Sequence, residues 1–326
     1  MLTIGLESSA HTFGVGVADN GKILSNEKAM YRIGGGGMIP AEVAETHIAN
    51  AEDVIGRALD SAGISTGEIE GVGYTMGPGM GPCLQVAQLA AKTLASRLKV
   101  RIVPVNHCVA HAEIARRYGK LRDPVMLYVS GGNSQILTIE GKPFRHYSVA
   151  GETFDIGIGN MLDSFARNMH LVPAWGSSIE KNASGGRYIP LPYTVKGMDF
   201  SFTGLLTRST ELIPEERRED LCFSIQETAF SAICEATERA MLLKNKGEIG
   251  ICGGVAQNSR LRSMLGLVAK EHGASFGYAP DEFNADNGGM IAFVAEKMLK
   301  EGMHTPVSRC EIRQRYRTDL ARLPSG

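Results

Sequence analysis

The sequence predicts a duplicated α/β protein, two similar halves facing each other across a cleft, and three observations carry that prediction. Strand-like runs alternate with helical ones along most of the 326 residues. A layout of strand, Ser/Gly turn, strand, Gly turn, strand occupies Leu2 to Tyr31 and returns over Val125 to Ala150. Three Gly/Ser turns, Glu7–His11, Ser130–Asn133 and Gly253–Gly254, each follow a strand directly. In such turns exposed backbone N–H groups bind anionic oxygens. At about 100–200 residues per domain, the length suits two domains. Residues 1–123 read as the first half, 124–305 as the second with an insertion near 173–204, and 306–326 as a basic tail.

The elements follow in order. Leu2–Leu6, Phe13–Ala18 and Lys22–Tyr31 are apolar, β-prone runs, and Asp19-Asn20-Gly21 is a hairpin turn between the last two. The glycine run Gly34 to Gly37 reads as a mobile loop. Pro40 then opens a long amphipathic helix over Ala41–Ala62, at a first-turn position that tolerates proline. Glu70–Thr75 is a strand and Cys83–Leu98 a helix; the GPGMGPC between them lets backbone approach another surface closely. Val100–Val105 is a strand that feeds an alanine-rich helix. The second half repeats the pattern with strands at Val125–Val129, Gln135–Glu140 and Arg145–Ala150 and a helix over Ile156–Met169. Pro173 to Gly204, rich in Gly, Pro and Ser, reads as loop rather than core. Helices over Gln226–Lys244, Ser259–Glu271 and Asp286–Lys300 and strands at Ile249–Cys252 and Ser275–Tyr278 complete the chain, and the tail RCEIRQRYRTDLARLPSG lacks clear periodicity.

Hydrophobic residues make up 43% and charged residues 21%, ordinary for a soluble globular protein. No run of 18 apolar residues points to a membrane span, and MLTIGLESS has the character of a first strand rather than a secretory leader. Six scattered cysteines with no CxxC argue for a reducing cytoplasm and against a disulfide framework or zinc ribbon. A net charge of −1 gives no general attraction for nucleic acid. Contact with RNA would therefore rely on local groups: Arg116 to Arg122, Arg260 with Arg262, and Arg309 to Arg322.

The stretch PVNHCVAHAE places His107 and His111 four residues apart, on one face of a helix, so both imidazoles can reach one metal ion. A plain pair of helix-surface histidines is the alternative. Cys108 points away from their shared face. The best third ligand is Asp286, in another loop that runs into a helix, FNADNGGMIAF. Two His and one carboxylate suit non-haem iron or zinc.

The three Gly/Ser turns of a duplicated chain resemble the two phosphate loops and the adenosine loop of the actin, sugar-kinase and Hsp70-type ATPase fold, two RNase H-like halves around a nucleotide cleft. Neither GxxxxGK[ST] nor a strand-linked GxGxxG occurs. That fold places an acidic residue in its first loop; here Glu7 is followed by serines and two histidines appear elsewhere. The frame therefore points to chemistry other than simple phosphoryl transfer.

The stretches GLESSAHTFGVGV, GPGMGPCL, NHCVAHAEI, YVSGGNSQ, GETFDIGIGNMLDSFAR, LPYTVKGMDFSFTGLL, GGVAQNSRLR and DNGGMIA together resemble the universal tRNA adenosine threonylcarbamoyltransferase family. They look most like its archaeal–eukaryotic branch, the catalytic subunit of the KEOPS complex, over about residues 2 to 300. The resemblance implies transfer of a threonylcarbamoyl group from threonylcarbamoyl-AMP to N6 of the adenosine 3′ of the tRNA anticodon. It implies His107, His111 and Asp286 as ligands of one divalent metal, with Tyr128 as a further ligand. It also implies a phosphate cradle at Tyr128, Val129, Ser130, Gly131 and Gly132, and ribose contacts from Asp163 and Glu180 with Gly176 beside them. Asn258, in the turn after Gly254, would face the adenine. Partners implied are the tRNA anticodon stem-loop, a small kinase-like subunit that some relatives carry fused at the C-terminus, and a small dimerising subunit docked on the Ala41–Ala62 and Cys83–Leu98 helices. The family's Pro-Gly-Gly-Pro is replaced here by Pro173-Ala174-Trp175-Gly176-Ser177, which bears on Gly176 and Glu180. Two other readings compete. A metallopeptidase of the HExxH kind would need Glu where Cys108 stands. An ATPase, sugar kinase or non-catalytic ATP-binding scaffold would leave the metal motif without a task.

Overall fold

The protein, a computed structural model, is described over residues 1–31 and 38–324; the glycine run 34–37 lies outside the described residues. The opening residues fold as their pattern dictates. β1 (Thr3–Glu7) pairs antiparallel with β2 (Thr12–Asp19), and β2 with β3 (Lys22–Met30). The turn between them carries Asn20 and Gly21 at φ 50° and 73°, the left-handed region that Asn and Gly tolerate best. Pro40 stands at the first position of α1 (Pro40–Ala62), and Gly63 closes it at φ 68°. β4 (Gly71–Gly77), α2 (Gly81–Leu98), β5 (Arg101–Asn106) and α3 (His107–Tyr118) follow. The sheet order is β3-β2-β1-β4-β5, with β1, β4 and β5 parallel.

The second sheet has the same plan. β6 (Val125–Val129) pairs antiparallel with β7 (Ser134–Glu140), which neighbours β8 (Phe144–Glu152). α4 (Ile158–Asn168), α5 (Gly176–Asn182), the short strands β9 (Val195–Lys196) and β10 (Asp199–Phe200), α6 (Thr203–Glu211) and α7 (Arg218–Leu243) intervene. β11 (Glu248–Cys252) then pairs parallel with β6. α8 (Ser259–Glu271) leads to β12 (Ser275–Tyr278), parallel to β11, and to the short α9 (Asp281–Asn284). The order β8-β7-β6-β11-β12, with these strand senses, reproduces the first sheet strand for strand. The expected duplication of an RNase H-like half is therefore observed, and the chain has the actin-like ATPase fold.

Contacts divide the chain into two compact units, residues 1–114 with 140–147 and 286–326, and residues 115–139 with 148–285. These bounds differ from the expected 1–123, 124–305 and 306–326, and for residues 286–326 close packing at glycines accounts for the difference. α10 (Gly288–Lys300) lies against β1 and β2 so closely that a Cβ at Gly5 would sit 2.1 Å from the Ala292 nitrogen, and one at Gly16 would sit 2.4 Å from the Gly289 nitrogen. Only glycines permit that approach, and they return the last helix to the first sheet. The tail follows it: Cys310 belongs to the first unit's core, and β13 (Arg322–Pro324) pairs antiparallel with residues 144–146.

Two further expectations are corrected. Pro173 to Gly204 keeps an irregular stretch over residues 183–194, yet it also contributes to the core: Ile179, Leu191, Phe200 and Phe202 all join the second unit's apolar cluster. α7 begins at Arg218, two turns before Gln226, because Leu221, Cys222 and Ile225 are already buried. All six cysteines are free and buried, and among the described residues no helix is long and apolar enough to cross a membrane.

Candidate metal centre and nucleotide loops

β5 runs straight into α3, so the strand end delivers His107 and the next helical turn delivers His111 on the same face. Asp286 immediately precedes Asn287, whose side chain accepts the Met290 N–H at 2.9 Å and caps α10. The close seating of α10 thus fixes Asp286 within the first unit. The His111 Nε2 is 3.2 Å, and the His107 Nε2 3.5 Å, from the same oxygen, Asp286 Oδ1. The imidazoles meet edge to face with centroids 4.7 Å apart. His107 is 6% exposed and His111 fully buried. These three residues are the group among the described residues whose ligand atoms converge, all within 4.8 Å of one another.

A fourth residue completes the cluster. Glu7, at the end of β1 and fully buried, places Oε2 2.9 Å from His107 Nδ1. The same oxygen accepts the Thr75 hydroxyl at 2.5 Å, and Oε1 accepts the Ser9 N–H at 2.5 Å. Burial opposes charge at every member, so the balance of partners decides each state. Burial pushes His107 down, but the Glu7 and Asp286 carboxylates outweigh it and lift the imidazole to about 9. Burial raises Asp286, yet the two histidines hold it well below the usual carboxylate range. Glu7 is likewise lowered, its burial outweighed by His107. At His111 burial prevails and keeps the ring neutral, the form that donates a lone pair. Two imidazole nitrogens and a carboxylate, with a second carboxylate behind one imidazole, fit a divalent first-row cation.

The second unit holds two of the three Gly/Ser turns. After β6, Ser130 N–H donates to the Asn133 carbonyl at 2.8 Å, and Asn133 N–H donates to the Ser130 hydroxyl at 3.1 Å. The Gly159 and Asn160 N–H groups donate to the Ser130 and Gly131 carbonyls, which sets this turn on the N-terminus of α4. The turn after β11 lies beside it: Gly253, at φ 95°, would bring a Cβ to 2.2 Å from the Val129 carbonyl oxygen. Gly132 and Gly254 differ, because a Cβ on either would meet nothing within 4 Å and neither needs a positive φ. The fold itself does not demand glycine at these two positions.

Asp163, on α4, accepts the Gly176 N–H at 2.7 Å and so caps the start of α5. Glu180, on α5, accepts the Ser259 N–H at 2.8 Å and the Ser259 hydroxyl. Asn258 caps α8 through the Leu261 N–H at 3.0 Å, and its amide donates to Gln226 at 3.1 Å. Each of these three polar groups already has a partner inside the unit. Trp175 is the residue before α5 and is 46% exposed, with Gly176 in helical rather than extended backbone behind it. Tyr128 is buried on β6 in the second unit, whereas His107, His111 and Asp286 belong to the first. Sequence reasoning did not attach Glu7, Ser9 and Thr75 to the histidines. The available signal was an acidic residue at a strand end with no other assigned task.

Comparison with known proteins adds an independent finding. The TsaD family profile, described as tRNA N6-adenosine threonylcarbamoyltransferase, matches residues 21–293. A tRNA N6-adenosine threonylcarbamoyltransferase of Thermococcus gammatolerans is 44% identical over 322 residues, 98% of each chain. A probable bifunctional tRNA threonylcarbamoyladenosine biosynthesis protein of Thermoplasma volcanium is 44% identical over 99% of this chain and 61% of its own length. Among solved structures, component A of the Acidaminococcus fermentans (R)-2-hydroxyglutaryl-CoA dehydratase superposes with a TM-score of 0.58 at 13% identity, covering 92% of this chain and 99% of that one. That last likeness concerns the fold.

Proposed function

From the premise that the chain belongs to the TsaD family of tRNA N6-adenosine threonylcarbamoyltransferases, we propose that it carries out the acyl transfer as the metal-dependent catalytic subunit of a KEOPS-type complex. As a family member it is a transferase of tRNA threonylcarbamoyladenosine biosynthesis. In the proposed reaction, N6 of the adenosine 3′ of the anticodon attacks the carbamoyl carbon of threonylcarbamoyl-AMP. The C–O bond to phosphate breaks, AMP leaves, and the amine loses a proton. The observation that supports metal dependence is the convergence of His107, His111 and Asp286 donor atoms within 4.8 Å.

Each residue then has a task. His107, His111 and Asp286, with Tyr128 as a further ligand, would hold iron or zinc. Bound there, the ion supplies Lewis acidity toward an acyl phosphate and offsets charge on the leaving group. The backbone at Val129, Ser130, Gly131 and Gly132 would cradle phosphate, and Gly254 would let the adenosine approach. Asp163 and Glu180 would accept ribose hydroxyls beside Gly176, and Asn258 would face the adenine. An aromatic amine is a weak nucleophile, so these contacts act by positioning and by stabilising developing charge. The partners in this reading are the tRNA anticodon stem-loop, a kinase-like subunit and a small dimerising subunit, in the cytoplasm. The bifunctional name of the Thermoplasma relative supports a second activity working beside this one.

The test is reconstitution with labelled threonine, bicarbonate, ATP, an adenylate-forming enzyme, partner subunits and tRNA, followed by nucleoside analysis. Modified adenosine is expected with the wild type, and at least a hundredfold less with His111→Ala, which also loses its metal. Full transfer by a metal-free His111→Ala protein would overturn the reading.

A further inference from the structure

Resting on the reading of His107, His111 and Asp286 as metal ligands, we propose that Glu7 is the positioning residue of that centre, fixing His107 in the tautomer that presents a lone pair on Nε2. The two ring nitrogens of His107 have separate surroundings. Nδ1 lies 2.9 Å from Glu7 Oε2, and Nε2 lies 3.5 Å from Asp286 Oδ1, on the side where His111 Nε2 also points. An ionised carboxylate only accepts hydrogen bonds, so the Nδ1 facing it carries hydrogen. When the ring is neutral, Nε2 is left bare toward the triad.

Glu7 is itself held. Its carboxylate receives the Ser9 N–H on one oxygen, and the Thr75 hydroxyl and the His107 ring on the other. These partners come from the turn after β1, from β4 and from the start of α3. Three donors on two oxygens require an acceptor at both positions. Glutamine cannot supply that: one orientation turns its NH2 against the Ser9 N–H, and the other turns it against Nδ1 and favours the opposite tautomer. A carboxylate buried only to fill space would face its desolvation cost without need, since an apolar side chain could do the same. The first-loop acid of the fold is here directed inward, behind a ligand.

The experiment compares wild type, Glu7→Gln, Thr75→Val and His111→Ala in the full chain. Zn²⁺ and Co²⁺ affinities are read by competition with a chromophoric chelator, together with the Co²⁺ visible spectrum and the melting temperature of the metal-free protein. Loss of such an orienting partner typically weakens metal binding about 10- to 100-fold, and that loss, with an altered Co²⁺ spectrum, is expected for Glu7→Gln. Thr75→Val, which frees one side of the carboxylate, is expected to weaken binding in the same direction by a smaller factor. If Glu7→Gln does not fold, Thr75→Val decides. Unchanged affinity and spectrum in the folded variants, with only the metal-free melting temperature lowered, would assign Glu7 to packing and overturn the proposal. If His111→Ala binds metal as the wild type does, the ligand reading fails first and Glu7's role falls with it.

Discussion

Gly16→Ala tests whether the seating of α10 on the first sheet controls both stability and the metal centre. The added Cβ would lie 2.4 Å from the Gly289 nitrogen, 2.6 Å from its Cα and 2.8 Å from the Gly288 carbonyl carbon. All three are backbone atoms, so no side-chain rotation relieves the clash. Reaching an ordinary contact of 3.4 Å requires a shift of about 1 Å (3.4 less 2.4) between β2 and α10. That shift also stretches the 3.1 Å bond from Gly289 N–H to Asn26. Overpacking of this kind costs about 1–3 kcal/mol, and the rigidity of the neighbours puts this case at the upper end. With about 2–4 °C per kcal/mol for a domain of 150–250 residues, the first unit should melt roughly 6–12 °C lower. Asp286 stands two residues before α10 and moves with it, so Zn²⁺ affinity should fall about tenfold, or 1.4 kcal/mol. The control is Gly56→Ala in α1, where a Cβ meets nothing within 4 Å. Alanine there should add about 1 kcal/mol through helix propensity and leave metal affinity alone. Calorimetry of the metal-free proteins and chelator competition read both quantities. A Gly16→Ala protein that melts and binds Zn²⁺ like the wild type would refute the reasoning.

Two other outcomes follow from the second unit. Gly132→Ala introduces a Cβ into open space, so stability should hold within about 0.5 kcal/mol, while ATP or AMP affinity, read by calorimetry, should drop about tenfold if that backbone faces phosphate. Asp155 accepts the Phe202 N–H at 3.0 Å, the Thr203 N–H at 2.8 Å and the Ser201 hydroxyl; burial opposes its charge, but these bonds prevail and hold its carboxyl below the ordinary range. A depressed folded-state pKa contributes stability above the unfolded value, about 3.9, which is lost as pH falls. Asp155→Asn should therefore cost about 1 kcal/mol at pH 7, and the gap in urea midpoint should narrow at pH 3.5.

Local signals were legible in the sequence, whereas pairings across long separations were not. The spacing of His107 and His111 is a helical repeat, and DNG before an apolar run marks a capped helix, so the three candidate ligands could be named without knowing that they meet. Glu7 reaches His107 across a hundred positions, and no periodicity records such a pair. Composition misled over Pro173 to Gly204, where Ile179, Leu191, Phe200 and Phe202 are too widely spaced to show a period yet converge in one core. At α7 the helix starts earlier than the expected Gln226, because its opening residues pair an exposed Arg218 with buried Leu221 and Cys222. The glycines of GVGVAD and DNGG each resemble turn formers; their complementarity becomes visible only when β2 and α10 are brought together.

The return of α10 to β1 and β2 also sets an order of events during synthesis. The second unit's residues, ending at Ala285, all leave the ribosome before Asp286 does. The nascent first sheet must wait, its glycine-lined face uncovered, until residues 288–300 emerge. Domains generally fold in the order in which they are made, but here the half begun first is finished last. Its long-range closure slows assembly. His107 and His111 are translated well before Asp286, so the three donor groups can converge only after residue 286 has been made.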